Sequence, residues 1–454
     1  MNRFVHRSIL LPAFETLLKR RKTLRYWSAL EKSQWLPRPE LDAMQRDALQ
    51  RLVAHAYARC PYYRKAWDEL GLHPRQIASA IDLERWPILD RETIRAHRPA
   101  MRAEGPSLPL ITKSTGGSTG VPLQFDLDRS SHDRRCAAWH RGYGWAGAEP
   151  GSKQLSLWGV PLGDRSKRAR AKDALYNALY RRRVVSCFDG EGDMAARFAR
   201  ELERYRPDVV VAYTSPLHEV ARQLEQSGRG VGHRPRAIVV GAEKLHDFQR
   251  DRIERVLGAP VFETYGSREF MLIGAECDRH RGLHLTCEHL LVEVLDEHGH
   301  RAPAGVEGDV VITDLYNYGM PFIRYATGDR AVAGSDTCDC GRGLPLLRRI
   351  VGRRLDMLVA TGGRPVPGEF FPHLVKDFPA VRRFQVIQER LDRVRFVVAA
   401  PDLSEGDRLT LERLVREAMG PGVGVDFEPV DHIALTPAGK LRVVINQVAQ
   451  GRAA

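Results

Sequence analysis

The chain has 454 residues, more than one compact domain holds and enough for two or three. With 43% hydrophobic and 28% charged residues it can bury a substantial core as an ordinary soluble protein, and it contains no apolar run long enough to cross a bilayer. The formal net charge of +13 favours polyanions such as nucleotides, coenzyme A, nucleic acid or an anionic membrane surface, without dictating a fold.

In chain order, Ile9 to Leu18 is apolar but short, is interrupted by Glu15, and lacks the small-residue site of a cleaved signal. Followed by Lys19-Arg20-Arg21-Lys22, it predicts a helix packed on its own domain or an amphipathic helix in weak contact with a membrane surface. Residues 40 to 100 read as helical, with Leu49, Leu52, Val53 and Ala56 in register, and Pro61-Tyr62-Tyr63 and Trp86-Pro87-Ile88 as punctuation. From about 105 to 352 strands and helices alternate: Val209 to Tyr213, Ala237 to Val240 and Val310 to Thr313 read as strands, and Leu217 to Gln226 as a helix. Residues 357–454 predict a small α+β domain with strands at Arg383 to Gln388 and Val394 to Ala399, a helix from Asp407 to Met419 and a basic terminal strand. The expected division is a helical leader (1–104), an α/β core (105–352) and a C-terminal lid (357–454). Seven cysteines, an odd count without an export signal, suit a reducing cytoplasm.

Five segments carry chemistry. Lys113-Ser114-Thr115-Gly116-Gly117-Ser118-Thr119-Gly120 is a glycine- and hydroxyl-rich loop whose N–H groups can approach phosphate oxygens, or else a polar surface turn; no Gly-Lys-Ser/Thr makes it a Walker loop. In Glu263-Thr264-Tyr265-Gly266-Ser267-Arg268-Glu269, the tyrosine can stack on a purine and the last carboxylate can hold Mg²⁺, although a turn leading into a helix explains the pattern equally well. Pro321 to Asp329 ends in a Gly-Asp turn able to meet ribose hydroxyls. Gly352-Arg353-Arg354-Leu355-Asp356 falls at the domain junction, and Thr436-Pro437-Ala438-Gly439-Lys440 offers a lysine to negative charge on a transition state, or to solvent.

Taken in this order, the five segments resemble the adenylate-forming superfamily of acyl-CoA synthetases, peptide-synthetase adenylation domains and luciferases, from about Thr112 to Lys440. His55-Ala56-Tyr57, Pro61-Tyr62-Tyr63, Trp86-Pro87-Ile88 and Cys338-Asp339-Cys340-Gly341-Arg342 resemble in particular the phenylacetate–CoA ligase branch, which includes CapK-like capsule-biosynthesis proteins. The resemblance implies an α/β fold with a large multi-subdomain N-terminal domain and a small mobile C-terminal domain. It further implies that Ser114 to Gly120 hold phosphates, that Gly241-Ala242-Glu243, Tyr265 and Gly266 line the nucleotide pocket, and that Glu269 binds Mg²⁺. Asp329 then binds ribose, Arg353 belongs to the hinge, and Lys440 assists adenylation. The chain departs from the family pattern where Val121-Pro122-Leu123 lacks a lysine, and where Leu355 and then Asp356 follow the hinge arginine.

Cys338-x-Cys340 with the upstream Cys277, His280 and His284 offers thiolate and imidazole ligands suited to a structural Zn²⁺, or else free cysteines in a reduced core. The branch pattern Gly282-Leu283-His284 favours His284 as fourth ligand over His280. The resemblance implies an AMP-forming acid–thiol ligase using ATP, Mg²⁺ and coenzyme A on an aromatic or other organic acid. The alternatives are a coenzyme A-independent adenylating ligase and a non-catalytic homologue in surface-polysaccharide assembly. Nucleic acid is not an expected partner, because the basic residues are dispersed; an oligomer, with a dimer favoured, is left open.

Overall fold

The computed structural model describes residues 6–77, 79, 81–105, 109–115, 123–158, 167–187, 194–335, 337–353, 358–361, 365–366, 370–375, 378, 380–381, 383–400, 403–420, 422–434 and 441–448. The chain divides into two compact units, the second taking up Gly328–Ala331 and everything from Val351 onward. Among the described residues no helix is long and apolar enough to cross a membrane.

The first unit opens with two wide π-helical turns, His6–Leu10 and Ala13–Leu18, rather than the amphipathic α-helix its composition suggests. Pro12 lacks the N–H that would continue an α-helical ladder, and Lys19 donates to the carbonyl of Phe14, five residues back. The long Arg38–Arg59 helix buries Leu41, Ala48, Leu49, Leu52, Val53 and Ala56 along one stripe. It stops at Cys60, which Pro61 holds in an extended conformation, and that proline starts the next helix, Pro61–Glu69.

Eleven strands form one sheet, in the order Leu290–Leu295, Glu307–Asp314, Tyr325–Ala333, Leu346–Arg353, Leu283–Leu285, Met271–Glu276, Val261–Ser267, Ala237–Gly241, Val209–Tyr213, Gln154–Trp158 and Arg182–Ser186. The last five of these pair in parallel, whereas Val261–Ser267 meets Met271–Glu276 antiparallel. Val209–Tyr213 and Ala237–Gly241 are buried at every position, which explains their unbroken apolar runs: helices cover both faces of a parallel sheet. Phe198, Leu202, Leu217, Val220, Leu224, Ile253 and Leu257 pack on one face. Tyr143, Ala146 and Ala148, at and beyond the end of the Arg129–Trp145 helix, pack on the other with Val211, Val239 and Phe262.

The second unit holds a four-stranded sheet, ordered Gly424–Pro429, Arg393–Ala399, Arg383–Arg390 and Val444–Asn446. Its two central strands are antiparallel, and each outer strand runs parallel to its neighbour. The Glu405–Met419 helix is capped by Ser404, whose hydroxyl accepts from the Asp407 N–H at 3.0 Å, and it buries Leu411, Val415 and Met419 against Val386 and Phe396.

Candidate active site

Ligands of open α/β sheets gather beyond the C-terminal ends of parallel strands. Here those ends carry Trp158, Tyr213 and Gly241, with the two aromatic ring centroids 4.0 Å apart. Gly241 is obligatory, because a Cβ would lie 2.5 Å from the Thr264 hydroxyl, which donates to the Val240 carbonyl at 2.8 Å. Ala242 follows with φ of 69°, turning the chain sharply. Glu243 faces the start of the Thr214–Gln226 helix, its carboxylate accepting from the Ser215 N–H at 2.8 Å and its carbonyl from the Thr214 hydroxyl at 3.2 Å. That carboxylate anchors the loop.

The segment Glu263 to Glu269 is a strand end and a tight hairpin, not a turn into a helix. Its first residues pair in parallel with Ala237–Gly241 and the rest antiparallel with Met271–Glu276, with a register shift between Tyr265 and Gly266. At the shift a Cβ on Gly266 would stand 2.0 Å from the Met271 carbonyl oxygen, so only glycine closes the hairpin. Tyr265 is buried. Arg268 donates to the Ser114 carbonyl at 3.2 Å, tying this hairpin to the base of the glycine-rich loop.

Glu269 is 4% exposed, and its Oε1 receives both the Tyr325 hydroxyl at 3.2 Å and an Arg91 amine at 3.4 Å. The Arg91 Nε also donates to the Tyr325 oxygen at 3.1 Å, closing a triangle. Burial first, then the Glu269 charge, pushes the Tyr325 hydroxyl well above its ordinary range, so it stays a proton donor. Sequence reasoning missed both partners: Tyr325 stood inside a chosen motif without a role, and Arg91 carried no signal. Behind the strand, Glu263 and Glu276 form a buried pair. Burial, and then the Glu276 charge, pushes Glu263 up to about 7, while the Leu245 N–H donates to it at 3.1 Å. Lys244 beside them is brought down to about 8 by burial and the Arg349 charge.

Leu110–Ser114 and Gln124–Asp128 make the hairpin that carries the glycine-rich loop. Its base is closed by Thr115, whose N–H donates to the Leu123 carbonyl and whose hydroxyl oxygen accepts from the Leu123 N–H, both at 2.9 Å. Gly116, Gly117, Ser118, Thr119, Gly120 and Lys440 lie outside the described residues. Asp329 follows Gly328 (φ 77°) on Tyr325–Ala333, half-buried, and Arg353 ends the Leu346–Arg353 strand. Ser114, Thr115, Gly241, Tyr265, Gly266 and Glu269 thus converge within the first unit, while Asp329 and Arg353 belong with the second.

A second cluster lies at the far end of the antiparallel strands. One ligand atom each from Cys277, His284, Cys338 and Cys340 falls within 4.8 Å of the others. The Cys277 and Cys338 sulfurs are 3.8 Å apart, and Cys340 Sγ is 3.3 Å from His284 Nε2. Tetrahedral Zn²⁺ with bonds of about 2.3 Å separates its sulfurs by about 3.8 Å, so the donor set fits that ion. His284 Nδ1 faces the Leu344 carbonyl at 3.3 Å, an arrangement that leaves Nε2 to face the thiols. His280 stands apart, 3.2 Å from Glu276 and 3.4 Å from Arg250.

This architecture is that of the adenylate-forming CoA ligases. It matches the crystal structure of 2-hydroxyisobutyryl-CoA ligase in the postadenylation state with a TM-score of 0.73 at 22% identity, over 93% of each chain. The anthranilate CoA ligase AuaEII matches with a TM-score of 0.53 at 17% identity, over 80% of this chain and 71% of that one. More particularly, the chain is similar in sequence to phenylacetate-coenzyme A ligases and to CapK. It is 27% identical to the Thermus thermophilus phenylacetate-coenzyme A ligase over 90% of this chain and 97% of that protein. To Protein CapK of Staphylococcus aureus it is 22% identical over 95% and 94% of the two chains. Residues 358–447 match the CapK C-terminal domain family.

Proposed function

We propose that this protein is an AMP-forming acid–CoA ligase: it joins an organic carboxylate to the α-phosphate of ATP, releasing pyrophosphate, and passes the acyl group to the coenzyme A thiol, releasing AMP. The observation that carries this reading is the convergence of Ser114, Arg268 and the anchored Glu269 beyond the parallel strands, where Gly241 keeps the backbone open. Relatives named as phenylacetate-coenzyme A ligases, and a fold shared with a ligase crystallised with an acyl-AMP, support it.

In this reading Ser114 to Gly120 hold the phosphates, Tyr265, Gly266 and Gly241 to Glu243 border the adenosine, and Asp329 and Arg353 serve the ribose side. Glu269 suits Mg²⁺ because Arg91 and Tyr325 both reach its Oε1, leaving Oε2 as ligand. Glu269 would hold Mg²⁺, which would supply positive charge against the triphosphate oxygens. Lys440 offsets charge on the α-phosphate, and no covalent enzyme intermediate is needed: positioning and electrostatics do the work. Cys277, His284, Cys338 and Cys340 hold a structural Zn²⁺.

ATP–pyrophosphate exchange across a panel of aromatic and aliphatic acids is the test. An acid that drives exchange and then forms a CoA thioester supports the proposal, and Lys440→Ala should slow that exchange about a hundredfold or more. Exchange without any thioester would mark a coenzyme A-independent ligase. Silence with every acid would mark a non-catalytic homologue.

A further inference from the structure

One surface takes no part in the proposed reaction. The π-helical turns of residues 6–18 lie against the Lys167–Leu179 helix, with Leu11 and Phe14 packed on Tyr176, Leu179 and Tyr180. The His6 ring bonds the Leu179 carbonyl, and the Tyr180 hydroxyl donates to Glu15 at 2.6 Å. The same packing leaves Ile9 57%, Leu17 77%, Leu18 71% and Leu175 60% exposed, and among the described residues no large hydrophobic side chain is more exposed than Leu17 and Leu18.

The charge around these leucines is mainly positive, the Arg7 guanidinium being paired with Glu149 at 2.5 Å. Residues 6–25 contain a single carboxylate, Glu15, and it is buried, 3.2 Å from Arg21. Arg7, Arg20, Lys22, Arg25, Arg168 and Lys172 are exposed, and the Lys19 amine stands over the Phe14 ring. On the helix, Asp173 is the only acid.

We propose that this face docks the protein on an anionic lipid bilayer, with Ile9, Leu17, Leu18 and Leu175 entering the headgroup–acyl boundary and the surrounding arginines and lysines meeting lipid phosphates. The mixture selects this partner. A polyanion such as nucleic acid gains nothing from exposed leucines, and a second copy of the same face would oppose like charges across an apolar contact. A bilayer of anionic lipid takes up both, each basic side chain near it strengthening binding about fivefold.

Flotation of the full chain with vesicles of phosphatidylglycerol mixed into phosphatidylcholine, against phosphatidylcholine alone, tests this. Wild type should float with the anionic vesicles only and be released by added salt. L17E/L18E and R168E/K172E should each lower the bound fraction about tenfold or more while keeping the wild-type circular dichroism and melting temperature. The proposal is overturned if wild type ignores both vesicles, if both variants float like wild type, or if sedimentation velocity shows a dimer that L17E/L18E dissociates.

Discussion

Arg324 is where the strand carrying Tyr325 is secured, and replacing it tests how far the site depends on a buried charge. Its side chain is 2% exposed and that of Glu293 is fully buried; Nε and Nη2 of the arginine reach the two carboxylate oxygens at 3.3 and 3.2 Å. Nη1 donates to the carbonyls of Glu84 and Trp86 at 3.1 and 2.7 Å, so one guanidinium joins the helical leader to the sheet. Arg324→Met strands a buried carboxylate, a loss of about 3–5 kcal/mol in comparable cases. Arg301, 4.0 Å from the same oxygen and one-third exposed, offsets part of it, which places the expected loss near the lower figure. For a unit this large that is a fall in melting temperature on the order of 5 °C. Burial already holds the Glu293 carboxyl above its ordinary value, and losing the Arg324 charge pushes it further up. A carboxylate raised in the folded state contributes stability below its unfolded pKa that is lost as pH rises through the folded one. The deficit of the variant should therefore be small near pH 5 and grow towards pH 8. The assay is differential scanning calorimetry of wild type, Arg324→Met, Glu293→Met and the double variant at both pH values. The double variant should be more stable than the two single losses predict when summed. Strict additivity, or a deficit indifferent to pH, would refute the argument.

Metal analysis of protein purified without added chelator should find one zinc per chain, lost in Cys340→Ser and His284→Ala and kept in His280→Ala; loss in His280→Ala would reassign the fourth ligand. Tyr325→Phe removes a hydrogen bond to a charged group, worth about 1.5–3 kcal/mol, and should raise the Mg·ATP requirement of pyrophosphate exchange about tenfold or more while lowering the melting temperature by no more than about 5 °C. An unchanged magnesium titration would count against the assigned role of Glu269. Glu263, held up to about 7, contributes stability below about pH 4.5 that is lost as pH rises through about 7. Glu263→Gln keeps the acceptor for the Leu245 N–H and should flatten the fall in melting temperature between pH 6 and 8; a profile as steep as wild type would show that another group titrates.

What could be read from the sequence was what local chemistry dictates. The β-branched runs at 209–213 and 237–240 are strands because both faces of a parallel sheet are covered, and a buried run needs no partner to be recognised. Cys338 and Cys340 are neighbours in any fold, and Cys277 and His284 flank the turn between two paired strands, but that these halves, some sixty residues apart, meet was implied by the resemblance and not by spacing. Glu263 to Glu269 looked like a turn before a helix because its hairpin is closed by a bulge whose only mark is Gly266. The Arg91–Tyr325–Glu269 triangle was illegible for a different reason. It forms only because Leu89 pairs with the strand at Tyr325, its N–H donating to the Arg324 carbonyl and its carbonyl accepting from the Ala326 N–H, across more than 230 residues. At the N-terminus the helix packed on its own domain is present, and only its π-helical form, beyond Pro12, was not readable from composition.

Placement of the Leu110–Ser114/Gln124–Asp128 hairpin follows from Asp128, at its end opposite Ser114. Asp128 ends the hairpin strand and caps the Arg129–Trp145 helix, its Oδ1 accepting from the Ser131 N–H at 2.8 Å. Its Oδ2 accepts from the N–H groups of Tyr318 and Gly319, and Asn317 accepts from the Asp128 N–H, so the hairpin root is bound to the turn before Pro321. The helix is pinned in turn by two buried pairs, Arg135 with Asp314 and Arg141 with Glu288, and by Gly142, where a Cβ would stand 2.4 Å from Leu272. Burying such charges adds little net stability, but any displacement of the helix leaves both carboxylates uncompensated, so its position is fixed steeply. Leu272 lies on the strand that closes the Glu269 hairpin. The Ser114 end of the hairpin and the Glu269 hairpin are therefore held to one another through a single helix, which accounts for how two segments some 150 residues apart keep a common register.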